Sequence, residues 1–302
     1  MPDLSEFIEF IAEKSGVQKP DLIQKDVTLH KILKQLYSSP RFRESYLLKG
    51  GSSLIKCYFG YYRFSIDLDF TWADQASWHM LGGKELRRRL HEEIDIFGSS
   101  LTGICGGMDL DFENEPRDRR YCDFGGGSRM TTFKLWKENE LIKIQVNYVE
   151  EILFTHNEAV VKNLLHGATI TGDEEAYFKE FLDAYAPFKV PVYDEREILC
   201  EKVRAILTRR TQKLRDLYDL YMLEKAGFKA EVLREQIVKK TRSSLRYAKY
   251  RASLEKNRKS LKIVEALEDP YERSLFIEEP SIDFERFAGR LEGVLRDTLN
   301  KI

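Results

Sequence analysis

The feature that most constrains this chain is a glycine bend set between two strand-like stretches. Tyr46-Leu47-Leu48 is a short apolar run closed by Gly50-Gly51, and Phe64 to Phe70 alternates, with carboxylates at Asp67 and Asp69. The pattern reads as strand, glycine turn, short helix, strand. Two adjacent glycines let the backbone turn tightly and approach a ligand. A helix that starts directly after them points its unsatisfied N–H groups and positive dipole end at any phosphate nearby. Gly50, Gly51 and Ser52, whose hydroxyl is a further donor, are the candidate phosphate-binding residues. Strand residues two apart emerge on one face, about 6.6 Å apart along the chain, so Asp67 and Asp69 are the candidate metal ligands, suited to Mg²⁺ held against nucleotide phosphates. The same four letters recur at Asp109-Leu110-Asp111-Phe112, but that copy does not follow a Gly-Gly-Ser turn at a distance that allows one short helix and a hairpin return, and it reads as a polar strand face.

With 302 residues, 42% of them apolar and 33% charged, the chain is long and hydrophobic enough for a folded core, and for two domains at about 100 to 200 residues each. Apolar spacing predicts two N-terminal helices around 4–11 and 22–36, a helix over 84–97, and strands near 108–113, 129–136 and 141–149. Beyond Pro191 the strand pattern disappears, and 195–209, 214–225, 231–240, 245–262 and 283–299 all read as helices. The expected architecture is α+β: residues 1–192 form a mixed sheet with helices, and 193–302 a helical domain. Cys57, Cys105, Cys122 and Cys200 have no C-x-x-C spacing, and the histidines pair with none of them at zinc-ligand spacing, so neither a disulfide scaffold nor a zinc site is expected. No apolar run approaches the ~18 residues of a membrane span, and the N-terminus lacks a basic region followed by an apolar core; a cytoplasmic protein is expected.

The run Lys49-Gly50-Gly51-Ser52 through Arg63-Phe64-Ser65-Ile66-Asp67-Leu68-Asp69-Phe70 resembles the signature of the AbiEii/AbiGii-type nucleotidyltransferases, a polymerase-beta-like branch that includes toxins of toxin-antitoxin and phage-abortive systems. Glu201 to Arg209 and Arg215-Asp216-Leu217-Tyr218-Asp219-Leu220 are similar to the later motifs of that family, and Lys25-Asp26 to its N-terminal helix. The resemblance implies an NTP bound between the two domains, with Gly51 and Ser52 on its phosphates, Asp67 and Asp69 on the metal, and Lys202 and Asp216 completing the site. A lysine is a compact cation suited to triphosphate charge. Read alone, Asp216 and Asp219 fit an inter-helix salt-bridge cluster equally well. One departure stands out. Polymerase-like transferases commonly take a third carboxylate from a neighbouring strand, and the matching strand here carries Gln145, an amide that cannot act as a base. Either Glu150, Glu151 or Asp216 substitutes, or the transfer proceeds without a dedicated base, and a single Mg²⁺ is expected.

The net charge of −1 hides an asymmetry: residues 201–262 carry 19 Lys and Arg against 7 Asp and Glu. From 239 to 262 there are ten basic residues against Glu255 alone, interleaved with Tyr247 and Tyr250. Such a stretch suits an RNA backbone and unpaired bases, with tRNA suggested by the family, and it suits an acidic antitoxin or a solvated helix face as well. The expected function is Mg²⁺-dependent transfer of a nucleotide from NTP to RNA. The rivals are an inactive transferase-shaped module that binds RNA or a partner, and a γ-phosphoryl transferase.

Overall fold

Seven strands form one mixed sheet in the computed structural model, which describes residues 2–302. They are β1 (Tyr46–Lys49), β2 (Asp67–Trp72), β3 (Cys122–Gly125), β4 (Met130–Lys137), β5 (Glu140–Asn147), β6 (Asn157–Val161) and β7 (Phe188–Val192). Their order is β3-β4-β5-β2-β1-β7-β6. β2 lies at the centre of the sheet, antiparallel to β1 and parallel to β5.

Alternation gives the sheet one apolar face. Leu48, Leu68, Phe70, Phe133, Ile142, Ile144 and Val146 are all buried in a single core. Helix Gly83–Gly106 covers that core with Leu86, Leu90, Ile94, Phe97, Leu101 and Cys105, a stripe at helical spacing. The stripe continues past residue 97, so this helix runs further than the spacing at 84–97 suggests. Helix Pro20–Ser38 contributes Leu29, Ile32, Leu33, Leu36 and Tyr37 to the same core. On this helix His30 is buried and donates from Nε2 to the Ala186 carbonyl at 3.1 Å. Burial, aided by the Lys56 cation, lowers its pKa to about 3, so it stays neutral.

The chain divides into two units, one running up to Glu150 and including Glu158–Val192, the other made of Glu151–Asn157 and Tyr193–Ile302. The short excursion 151–157 belongs to the helical unit for a specific reason. Leu153 and Phe154 donate their backbone N–H groups to Glu197 Oε2 at 2.7 and 2.9 Å. Lys240 donates to the Glu151 carbonyl at 2.6 Å and to Glu197 Oε1 at 2.5 Å. Glu197 and Lys240 are both buried, and burial of a charge demands such partners.

One expected element is corrected. The strand near 108–113 is reduced to an isolated bridge between Asp111 and Trp136, because Asp109 adopts a left-handed φ of 53° that breaks an extended run. The basic stretch falls on two helices, Arg234–Ser244 and Ala248–Ser260, as the apolar spacing over 231–240 and 245–262 predicts. Asn257 ties the second of these to helix Glu195–Thr208 by donating to the Ile206, Leu207 and Arg209 carbonyls at 3.2, 3.0 and 2.9 Å, which caps that helix's C-terminus. Among the described residues no helix is long and apolar enough to cross a membrane.

Candidate active site

The face of the sheet opposite the core is polar. Asp67 and Asp69 lie half-buried on it, in register with Lys143 and Gln145 of β5, and Asp69 is also paired with Lys49 of β1. β1 ends at Lys49, and Gly50 turns the chain into a helix with a left-handed φ of 72°. That helix runs as an α-turn over Gly50–Ser53 and continues as a π-helix over Leu54–Phe59.

The bend and β2 are in direct contact. A Cβ added at Gly50 would stand 2.5 Å from Asp69 Oδ2, so the Asp69 carboxylate packs directly against the start of the helix. A Cβ at Gly51 would overlap the guanidinium of Arg63, a residue only 2% exposed whose Nη1 donates to the Phe64 carbonyl at 2.7 Å. A carboxylate at a helix N-terminus is electrostatically favoured, and the same N-terminus with a buried guanidinium behind it favours further anionic groups.

Ser52 has a different role from the one its sequence position suggests. Its hydroxyl is buried, donates to the Asp67 carbonyl at 2.6 Å and shares a 2.8 Å hydrogen bond with the Ser65 hydroxyl. The side chain therefore locks the bend onto the strand, and only the backbone N–H of residue 52 is left as a phosphate donor. Ser65 and Arg63 are site residues that the sequence reading quotes without a role. Their one local signal was position, in the connection between the bend and the aspartates.

Gln145 stands beside Asp69 in the β2–β5 register, and its amide donates to Thr132 Oγ1 at 3.3 Å. Glu150 accepts from Lys49 Nζ at 2.9 Å, Thr71 Oγ1 at 3.1 Å and Asn147 Nδ2 at 3.2 Å. Among the described residues no group of three or more His, Cys, Asp or Glu could hold a metal ion. The donor set at the bend is two aspartates, which fits a hard divalent cation that completes its shell with water and phosphate oxygens.

In the helical unit Lys202 is not a bare cation. Its Nζ lies 2.8 Å from Asp216 Oδ1 and 2.5 Å from Asp219 Oδ2, and Arg209 pairs with the other Asp216 oxygen. All but Arg209 are nearly inaccessible to solvent. Burial alone would raise the Asp216 carboxyl, but Lys202 and Arg209 outweigh it and hold it well below the usual carboxylate range. Asp216 therefore stays ionised at neutral pH and is a poor proton acceptor. Removing this cation takes a direct partner from two buried carboxylates, so Lys202→Met is expected to destabilise the protein by about 3–5 kcal/mol. Urea unfolding measures this, and a loss below about 1 kcal/mol would show that the cluster carries little.

The second Asp-Leu-Asp-Phe copy is structural. Asp111 accepts from Arg120 Nη2 at 2.6 Å and from Tyr121 Oη at 2.8 Å.

A mixed sheet with a glycine-initiated helix packed on a D-x-D strand, followed by a helical region, defines a nucleotidyltransferase-type fold. The family model described as "Nucleotidyl transferase AbiEii toxin, Type IV TA system" matches residues 31–300, and the chain belongs to that family. No curated protein matches the chain.

Proposed function

We propose that this protein transfers a nucleoside monophosphate from an NTP to an RNA acceptor, as the toxin of a toxin-antitoxin pair. The observation that carries this reading is the contact between the Asp69 carboxylate and the Gly50 turn, which joins a metal-binding strand to a phosphate-binding helix start. In this reading the backbone N–H groups of Gly50, Gly51 and Ser52 bind the phosphates, and Asp67 and Asp69 hold Mg²⁺. When bound, the ion supplies charge neutralisation on the triphosphate. The acceptor hydroxyl oxygen bonds to the α-phosphorus, the bond to the bridging β-phosphate oxygen breaks, pyrophosphate leaves, and the hydroxyl proton passes to water. Gln145 beside Asp69 leaves no third strand carboxylate for that proton or for a second ion. In the helical unit Asp216 and Asp219 hold the buried Lys202 ammonium in one orientation.

The test is incubation of the purified protein with each α-labelled NTP, Mg²⁺ and total RNA. Labelled RNA supports the reading, label only from the γ position indicates phosphoryl transfer, and no label from any nucleotide rejects it.

The acceptor is assigned to RNA on the surface of helix Ala248–Ser260. Lys249, Arg251, Lys256 and Arg258 are exposed there, while Leu254 and Asn257 face inward. Lys249 Nζ lies 5.2 Å from the Tyr250 ring centre, so a cation and a stacking surface are adjacent. Replacing these four cations with glutamine is expected to lower the salt slope of RNA binding by about 3, at about 0.7 per single-strand phosphate, without changing NTP affinity. An unchanged slope would assign the charge to an acidic partner such as the antitoxin.

A further inference from the structure

One buried cluster in the sheet unit has no part in the chemistry above. Lys56 lies in the middle of the π-helix that follows the glycine bend, fully buried, with its Nζ 2.7 Å from Asp26 Oδ1 on helix Pro20–Ser38. The same ammonium donates to Tyr61 Oη at 2.6 Å, and Tyr61 donates in turn to Asp26 Oδ2 at 2.9 Å. Tyr185 donates to the same Asp26 oxygen at 2.6 Å, and its own oxygen accepts from the Leu164 N–H at 3.2 Å. The backbone carbonyl of Lys56 accepts from the Lys162 N–H at 2.8 Å.

These bonds grip both ends of one connection. Lys56 belongs to the helix that begins at Gly50, and Tyr61 opens the segment that carries Arg63 to Gly51, Ser65 to Ser52, and then Asp67. Between them the helix closes at Gly60, whose φ is 81°. A π-helix is a rare, intrinsically unfavourable register that recurs at functional sites, and something must hold it. Two apolar side chains would join the helices at least as firmly, since a buried ion pair carries a desolvation cost that well-packed hydrophobic residues avoid. What the pair adds is direction: an ammonium set against a carboxylate whose other oxygen is held by two phenols favours one register of the helix and one path of the returning loop.

We infer that Asp26, through Lys56 and Tyr61, is a positioning residue that sets the distance between the phosphate-binding bend and the Asp67–Asp69 strand. Burial, reinforced by the Asp26 charge, pushes the Tyr61 and Tyr185 phenols well above their ordinary pKa, so both remain donors throughout the accessible pH range. This inference rests on the nucleotidyl-transfer reading of the same bend.

The test uses the full chain with Asp26→Asn and Lys56→Met combined, which removes both charges while leaving an acceptor for the two phenols. Three measurements are made: melting temperature, calorimetric titration with each of the four NTPs plus Mg²⁺, and amide hydrogen exchange. The expected result is an unchanged melting temperature, NTP affinity at least tenfold weaker, and exchange at 50–59 at least tenfold faster with β4 and β5 unaltered. A merely structural pair would move the melting temperature and leave a folded variant's affinity and local exchange alone, and that outcome overturns the inference. If the double variant does not fold, Tyr185→Phe, which deletes one bond to Asp26, is read the same way. An affinity loss of a few fold with faster exchange at 50–59 supports the inference, and no change in either overturns it. Wild-type protein that neither binds an NTP nor labels RNA removes the transferase reading and this inference together; an active wild type beside an unaltered variant removes this inference alone.

Discussion

Asp69→Asn is expected to reduce nucleotide transfer by about a thousandfold or more while leaving the protein folded, because it removes half of the charge available to a divalent cation at the bend. The substitution keeps the volume of the side chain packed on Gly50, so the helix start is not disturbed sterically. Asp111→Asn supplies the comparison within the same chain. It alters the second copy of the same four letters, where the carboxylate serves only Arg120 and Tyr121, and activity should remain within about twofold of wild type. The pair is measured by RNA labelling at saturating NTP, with calorimetric Mg²⁺-dependent NTP binding alongside. Equal activity of Asp69→Asn and wild type would end the assignment of the metal site, and a comparable loss in both variants would trace the effect to folding.

Gly50→Ala carries the second large effect, and Gly16→Ala separates its causes. Both glycines sit at a φ of 72°, so a side chain at either incurs left-handed strain of about 1–2 kcal/mol. They differ in what surrounds them: a Cβ at Gly16 meets nothing within 4 Å, whereas at Gly50 it meets Asp69 Oδ2 at 2.5 Å, with the Asp69 Cβ and Cγ both at 3.2 Å. Neither backbone nor carboxylate can yield without changing the spacing between bend and strand. Both variants should therefore melt at lower temperature, while only Gly50→Ala loses transfer, by about a hundredfold or more, since a displacement near 1 Å at a reacting centre costs that much. Equal transfer by the two variants at a temperature where both are folded would show that the contact has no catalytic consequence.

The pattern of residues 46–70 was readable because each inference in it is local. Alternation forces Leu68 and Phe70 to one face and Asp67 and Asp69 to the other, and a glycine pair after an apolar run predicts the bend whatever surrounds it. The helical second half was readable for the same reason, from apolar spacing alone. The strand at 108–113 misled because Leu110 and Phe112 are buried as alternation demands, yet the backbone at Asp109 turns left-handed and only one bridge forms.

What the sequence by itself determined is the sheet's polar face, the glycine-initiated helix beside it, and the family to which that order of motifs belongs. Tertiary structure alone decided that the Ser52 hydroxyl turns inward to Asp67, that Lys202 is held between two carboxylates, that Asp26 reaches Lys56, and that residues 151–157 join the helical unit. The physical reason is the same in each case. A side chain's periodicity states whether it is buried, but a buried polar group takes whichever partner the fold brings within hydrogen-bond reach, and those partners are separated along the chain by spacings that no local pattern encodes.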